Sequence, residues 1–279
     1  MSRIAVACLA FWIALQPVAP ACSFFMCARN GVVLAGNNED YLDPDTRMWF
    51  VPSEDGRLGC VYFGFSNGFP QGGMNEAGLF FDGAATPEQE ITGRPDRPSF
   101  EGNLVDEMMR TCRTVEEVVA TWERYDVPKM MARAQIQFAD ATGDSVLIEG
   151  DHLLRKEGDY QITTNFYQAG LERDQFACPR FEVIDSMLEG DAAPSVELFR
   201  KILSRVHQEG EVSTLYSNIY DLKRRKMTLY HFHDFEHPVE IDLAAELGKG
   251  AHTVVIADLF PETFAFEQFQ KRHRAKRAK

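Results

Sequence analysis

Long hydrophobic runs are scarce in this sequence. Past residue 21 nothing approaches the ~18 consecutive apolar residues that a spanning helix needs, so no stable membrane span is expected. With 45% hydrophobic residues and only 20 Gly and 13 Pro in 279 residues, the composition excludes collagen-like and disordered chains. No Pro/Gly/Ser-rich linker interrupts residues 22–270 and no internal repeat is visible, which leaves a single domain there. There is no G-x-G-x-x-G or P-loop to cradle a phosphate, and no H-E-x-x-H or C-x-x-C to seat a metal. Positive charge is also short: 29 Lys and Arg stand against 42 Asp and Glu, a net charge of −13. Six of those basic residues fall in 271–279 and one in 1–21, leaving residues 22–270 with 22 against 42. A body that acidic repels nucleic acid.

What is present begins with an export signal. MSRIAVACLAFWIALQPVAPA has Arg3, an apolar stretch from Ile4 to Leu15 and an A-x-A site at Ala19-Pro20-Ala21. Residues 1–21 are therefore expected to be a signal peptide, and the protein to be periplasmic or secreted. Cys8 leaves with it, and Cys22, Cys27, Cys60, Cys112 and Cys178 remain. In an oxidising compartment that odd number fits one free thiol and up to two disulfides among the last four, with the pairing open. The basic end, 271–279, is expected to be a disordered, solvated tail.

Short strands are expected first, at Ser23–Cys27, Val32–Ala35 after the Asn30-Gly31 turn, Met48–Val51, Gly59–Phe65 and Leu79–Gly83. Helices follow at Asn103–Cys112 and Val115–Tyr125, where Thr114 and Glu117 could form a capping box. Ala134, Ile136 and Phe138 alternate with Gln135 and Gln137, predicting a half-buried strand that turns at Asp140–Asp144 into Ser145–Glu149. Beyond them come a strand at Gln161–Asn165, helices at Arg180–Leu188 and Val196–Val206, and a hairpin of Ser213–Leu222 with Met227–His233. A strand at Thr253–Ile256 and a helix at Glu262–Phe269 close the pattern. Strand groups alternating with helix pairs, without a βαβ rhythm, predict an α+β fold with helices packed on sheets.

Cleavage after Ala21 would make Cys22 the first residue, and that position has chemistry of its own. A thiolate is the strongest common side-chain nucleophile and needs a base nearby. An N-terminal cysteine carries one: its free α-amine, with an ordinary pKa of ~7.7–8.0. Asp40 lies 18 residues on, after a two-strand excursion able to return it to residue 22. A rival nucleophile motif, Gly64-Phe65-Ser66-Asn67-Gly68, fits G-x-S-x-G, but Phe69–Gly73 follows as turn chemistry where an elbow needs a helix. His231, His233 and His237 cluster with Asp234 and Glu236, yet they lack the ligand spacing of a zinc site and read as solvated or pocket-lining.

The stretch CSFFMCARNGVVLAGNNEDY, an N-terminal Cys, two strands and then G-N-N-E-D-Y, resembles the choloylglycine hydrolase and penicillin V acylase family of cysteine N-terminal-nucleophile amidases. Four further segments look like the family's motifs in family order. These are Gly73-Met74-Asn75-Glu76-Ala77-Gly78-Leu79, Ala139-Asp140 with Gly143 and Ser145–Glu149, Thr164-Asn165, and Tyr216-Ser217-Asn218-Ile219-Tyr220-Asp221. The resemblance implies a four-layered αββα N-terminal-nucleophile fold and hydrolysis of a linear N-acyl amide through a Cys22 thioester. It implies Asp40 as the residue orienting amine and thiol, Asn165 as oxyanion donor and the Ala85 backbone N–H as a second donor. Two departures stand out: Asn37 and His231 occupy places where the bile-salt and penicillin V enzymes have arginine, which counts against those two substrates. Asn37 and His231 are retained as substrate-binding candidates. A small-molecule N-acyl amide is the expected partner, with no cofactor and no metal. The alternatives are acyl transfer from the same acyl-enzyme, or an exported, lipid-anchored binding protein held through Cys22.

Overall fold

A computed structural model describes residues 22–190 and 192–277, so the expected signal segment lies outside the described residues. In chain order, strands β1 (Ser23–Arg29), β2 (Val32–Tyr41), β3 (Thr46–Val51), β4 (Cys60–Phe65), β5 (Pro70–Asn75) and β6 (Phe80–Ala85) come first. Helices α1 (Leu104–Thr111) and α2 (Val115–Trp122) follow. Then come β7 (Ala134–Ala139), β8 (Ser145–Glu149), β9 (His152–Arg155) and β10 (Tyr160–Thr163), and helices α3 (Pro179–Leu188) and α4 (Val196–Val206). Strands β11 (Ser213–Asp221), β12 (Lys226–His231) and β13 (Asp234–Asp242), helix α5 (Leu243–Leu247), strand β14 (His252–Val255) and helix α6 (Phe264–Arg277) complete the chain.

The strands pair antiparallel into two sheets, ordered β10-β1-β2-β11-β12-β13 and β14-β3-β4-β5-β6-β7-β8-β9. Asn30 and Gly31 both take positive φ, 52° and 80°, which is the two-residue turn that Asn-Gly favours between β1 and β2. Because side chains alternate along a strand, each sheet has two faces, and here both are buried. Met26, Val33, Phe63, Phe80 and Tyr220 fill the space between the sheets. On the outer face of the eight-stranded sheet, Met108, Val118 and Trp122 of α1 and α2 meet Tyr62, Phe81 and Phe138. On the outer face of the other, Phe181, Ile184, Phe199 and Leu203 of α3 and α4 meet Phe25, Leu34 and Ile219. The layers run helix, sheet, sheet, helix: the expected αββα sandwich.

Several expectations are revised. Strand β2 continues through G-N-N-E-D-Y rather than ending at Ala35. The stretch from Phe69, expected as a turn, becomes β5, so Ser66 lies in a strand-to-strand turn where no nucleophile elbow can form. β7 is buried on its Gln135 and Gln137 face as well as on its apolar face. Strands β9 and β13 and helix α5 were not anticipated. Residues 271–277 of the expected tail extend α6, tied down by Lys271–Glu267 and Lys276–Glu211 ion pairs at 3.1 and 2.7 Å. All five cysteines from Cys22 onward are free thiols. The layers keep Cys27 and Cys178, under α3 and α4, apart from Cys60 and Cys112, under α1 and α2. Among the described residues no helix is long and apolar enough to cross a membrane.

Phe199 carries much of the contact between α4 and the six-stranded sheet. Its ring is fully buried, packs at a 35° tilt against Phe25 with centroids 4.7 Å apart, and lies so close to Gly36 that a Cβ there would approach it to 3.0 Å. Phe199→Ala should cost about 3–5 kcal/mol, the usual loss for an emptied aromatic site. Urea unfolding checks this through the shift in midpoint at unchanged slope; a loss below about 1 kcal/mol would contradict the packing described.

Candidate active site

Register sets the geometry around Cys22. Ser23 lies opposite Asn38 and Phe24 opposite Asn37, so Cys22, one residue earlier, stands beside Glu39. Alternation turns Cys22, Phe24 and Met26 into the space between the sheets, where Cys22 and Phe24 touch Ala84 of β6. The thiol is 3.6 Å from Oε1 of Glu39 and 3.9 Å from the main-chain oxygen of Asp40. The Asp40 side chain points to the opposite face of β2, where its Oδ1 accepts from the Thr214 hydroxyl. Its Oδ2 is buried without a hydrogen-bond partner among the described residues.

Arg180, near the start of α3, connects the rest. Its Nη1 donates to the carbonyl of Cys22 and to the Ser23 hydroxyl, both at 2.6 Å, and its Nη2 donates to Oδ1 of Asn165 at 3.0 Å. A guanidinium has no acceptor, so the Asn165 atom facing it must be oxygen, which turns the amide NH2 the other way. That NH2 donates to the Ala85 carbonyl at 2.8 Å. The loop carrying Asn165 is held from behind by Glu149, whose carboxylate accepts from the backbone N–H groups of Gln168 and Ala169 at 2.8–2.9 Å.

Cys22, Asp40, Asn165 and Ala85 are thus brought together. Asn37 follows one pair further along β2, with both amide atoms buried and unpartnered among the described residues. His231 is not brought to the thiol: β2 and β11 separate its strand from β1, a spacing of roughly 14 Å. Its ring packs instead on Phe260 and Phe266, at 5.4 and 4.4 Å. Sequence reasoning missed Glu39 and Arg180. The signal for Glu39 was available, since a strand continuing past Ala35 would have turned it toward Cys22. For Arg180 the only hint was the missing arginines at 37 and 231, which left the site's positive charge to come from elsewhere.

Burial governs the electrostatics. It pushes the Cys22 thiol well above its ordinary range, with the nearby charges of Glu39 and Asp40 adding to the shift. Burial likewise raises Glu39 to about 8, helped by Asp40. It raises Asp40 to about 7 against the opposing pull of the Thr214 hydrogen bond and the Arg180 charge. Asp82 of β6, buried with neither oxygen partnered among the described residues, is pushed up by burial and by Glu39. Glu39 and Asp40 therefore titrate near neutral pH, which makes them able to accept and return a proton.

The shifts have a consequence for stability. Each carboxyl binds its proton more tightly in the fold than in the unfolded chain, so its contribution is full below the ordinary carboxyl range. It is lost as pH rises through about 7 for Asp40 and about 8 for Glu39. The melting temperature should therefore fall between about pH 5.5 and pH 9, and Glu39→Gln, which mimics the protonated carboxyl, should reduce that fall. Calorimetric melts across the range provide the check; an equally steep fall in the variant would remove Glu39 from the account.

No protein-family model and no curated protein sequence matches this chain. Among solved structures, a variant of conjugated bile acid hydrolase from Clostridium perfringens superposes with a TM-score of 0.66 at 15% identity, covering 87% of this chain and 99% of the other. A second variant of that enzyme gives 0.62 at 16%, covering 84% and 96%. Penicillin V acylase from Agrobacterium tumefaciens gives 0.56 at 16%, covering 84% and 91%. The likeness extends over nearly the whole length of those proteins, and it bears out, at the level of fold, the resemblance drawn from the sequence motifs. The chain has the αββα fold of conjugated bile acid hydrolase and penicillin V acylase.

Proposed function

We propose that this protein is an exported amidase that hydrolyses a linear N-acyl amide through a thioester on Cys22. The observation that carries the reading is the connected set Cys22, Arg180, Asn165 and Ala85 at the edge of a fold shared with two amide hydrolases. Export comes first, because removal of residues 1–21 is what frees the α-amine of Cys22. A free amine supplies the base that a thiol raised by burial cannot do without. The amine takes the thiol proton, and the sulfur attacks the substrate carbonyl carbon. As the C–N bond breaks, that proton passes to the departing amine. Water then adds to the thioester, releasing the acid and restoring the thiol.

Each neighbour has a part in those steps. Oδ2 of Asp40 is free to accept an N–H from the amine, and Thr214 fixes the carboxyl in that orientation. Glu39 faces the sulfur itself and suits the transient holding of its proton. Asn165, its amide orientation set by Arg180, offers an N–H to the oxyanion in exchange for the Ala85 carbonyl. A cavity of about 190 Å³ walled by Ala84, Ala85, Phe81, Val105 and Ile136 suits an apolar acyl chain. With asparagine at 37, where the bile-salt and penicillin V enzymes have arginine, neither a bile salt nor penicillin V is the expected substrate.

Mature protein assayed with a panel of N-acyl amides tests the reading. Cys22→Ala should abolish turnover while leaving the fold intact, and Cys22→Ser should be severely impaired, since an alkoxide is harder to form than a thiolate. Asn165→Ala should lower kcat by about 10²–10³-fold with a much smaller change in KM. Unchanged turnover in Cys22→Ala would sink the mechanism. A normal kcat with a raised KM in Asn165→Ala would reassign that residue to substrate binding.

A further inference from the structure

A second cluster of chemistry-bearing side chains lies where α4 gives way to β11. His207 caps the C-terminus of α4, with Nδ1 at 2.6 Å from the Ser204 carbonyl and Nε2 at 3.0 Å from Oε1 of Glu209. Both ring nitrogens thus face acceptors. A neutral imidazole has one N–H to give, and the Ser204 carbonyl takes it, which leaves the Nε2 lone pair directed at a carboxylate. Only a second proton or a cation on Nε2 satisfies both contacts. The ring of His233 stands 4.8 Å from that of His207. Its Nε2 is buried without a partner among the described residues. Its backbone is held at a positive φ of 68°, which a non-glycine residue seldom adopts and which brings the ring over the 207–209 segment.

We propose that His207, Glu209 and His233 form a binding site for a divalent transition-metal ion of the zinc type. Their donor atoms lie within 4.8 Å of one another, and the His207–Glu209 pair is already at 3.0 Å. A tetrahedral zinc with ~2.0–2.1 Å bonds spaces its donors by roughly 3.3–3.5 Å, so the set must draw in by little more than 1 Å. Two imidazoles and a carboxylate are the ligand types zinc accepts, with a solvent molecule as the fourth. The outer contact of His207 fits as well: the Ser204 carbonyl holds its ring in the way backbone groups orient metal-bound histidines. Residues 231, 233 and 237, the histidine group that stands out in the sequence, do not make this site; only His233 contributes. The ion's place in the fold is specific. Gln208, between two of the ligands, donates its N–H to the Thr214 hydroxyl at 2.8 Å and accepts the Thr214 N–H at 2.9 Å. Thr214 in turn donates to Asp40. A metal here would stiffen the segment that orients Asp40 without touching the reacting atoms.

Calorimetric titration of zinc chloride into demetallated protein tests the site. The Cys22→Ala variant is used, because a free thiol would bind zinc in its own right. One equivalent should bind and raise the melting temperature. His207→Ala and His233→Ala should each weaken binding by roughly 100-fold or more, and Glu209→Gln by about 10-fold or more. Glu209 is mostly exposed, with 73% of its side-chain surface accessible, so its variant folds whatever happens to the two histidine variants. Absence of binding to Cys22→Ala, or one-equivalent binding unchanged in Glu209→Gln and in either histidine variant, would overturn the site.

Discussion

The geometry around Cys22 depends above all on one guanidinium. Arg180 reaches the start of β1 and the loop after β10 at once, joining chain segments 158 and 15 residues away from it. Because it can only donate, it sets the carbonyl of Cys22, the oxygen of Ser23 and the amide orientation of Asn165 together. It also brings the positive charge that favours ionised Asp40 in a site where burial works against every negative group. Proline at the first position of α3 places Arg180 in the first turn, and the helix is anchored on the sheet by Phe181, Ile184 and Leu188. Packing of an ordinary amphipathic helix therefore positions the site's cation.

Polar residues between two sheets are the second constraint. Glu39, Asn37 and Asn218 on one sheet and Asp82 and Gln135 on the other lie in a space otherwise filled by phenylalanine, methionine and tyrosine. Buried charge is unfavourable unless the group neutralises or finds a partner, and here burial raises the proton affinity of Glu39 and Asp82. The fold bears this strain because the outer faces of both sheets are sealed by helices over large apolar areas. The polar interior is concentrated near the Cys22 end of the six-stranded sheet, where proton traffic would occur.

Much of this was legible in the sequence, and the failures have physical causes. The Asn-Gly turn, the helix of Val196–Val206 and the alternation of β7 were plain from local chemistry. Alternation could not say that the Gln135 face was buried, because a polar face reads as solvated unless a second sheet is known to cover it. β5 was obscured by Pro70, Gly72 and Gly73. Those glycines serve close approach: a Cβ at Gly72 would run into the Asp82 carboxylate, and one at Gly73 into the Val61 carbonyl. The recognised motif residues turn out to be pins. Asn75 ties the β5–β6 turn to the end of α1, Asp140 caps the start of α2, and Ser217 holds Asn38. Arg180 was illegible because its partners meet it only through tertiary packing, and no local pattern marks them.

The central claim is that catalysis runs through an acyl group on the N-terminal cysteine. Protein purified from its native host, mixed with an N-acyl amide and quenched in acid within its first turnovers, can be read by intact and peptide mass spectrometry. The account predicts a chain beginning at an unmodified Cys22, which gains one acyl mass located on the N-terminal peptide and returns to its starting mass when substrate is spent. A diacylglycerol on Cys22, a chain beginning elsewhere, or an acyl group on any other residue would contradict it.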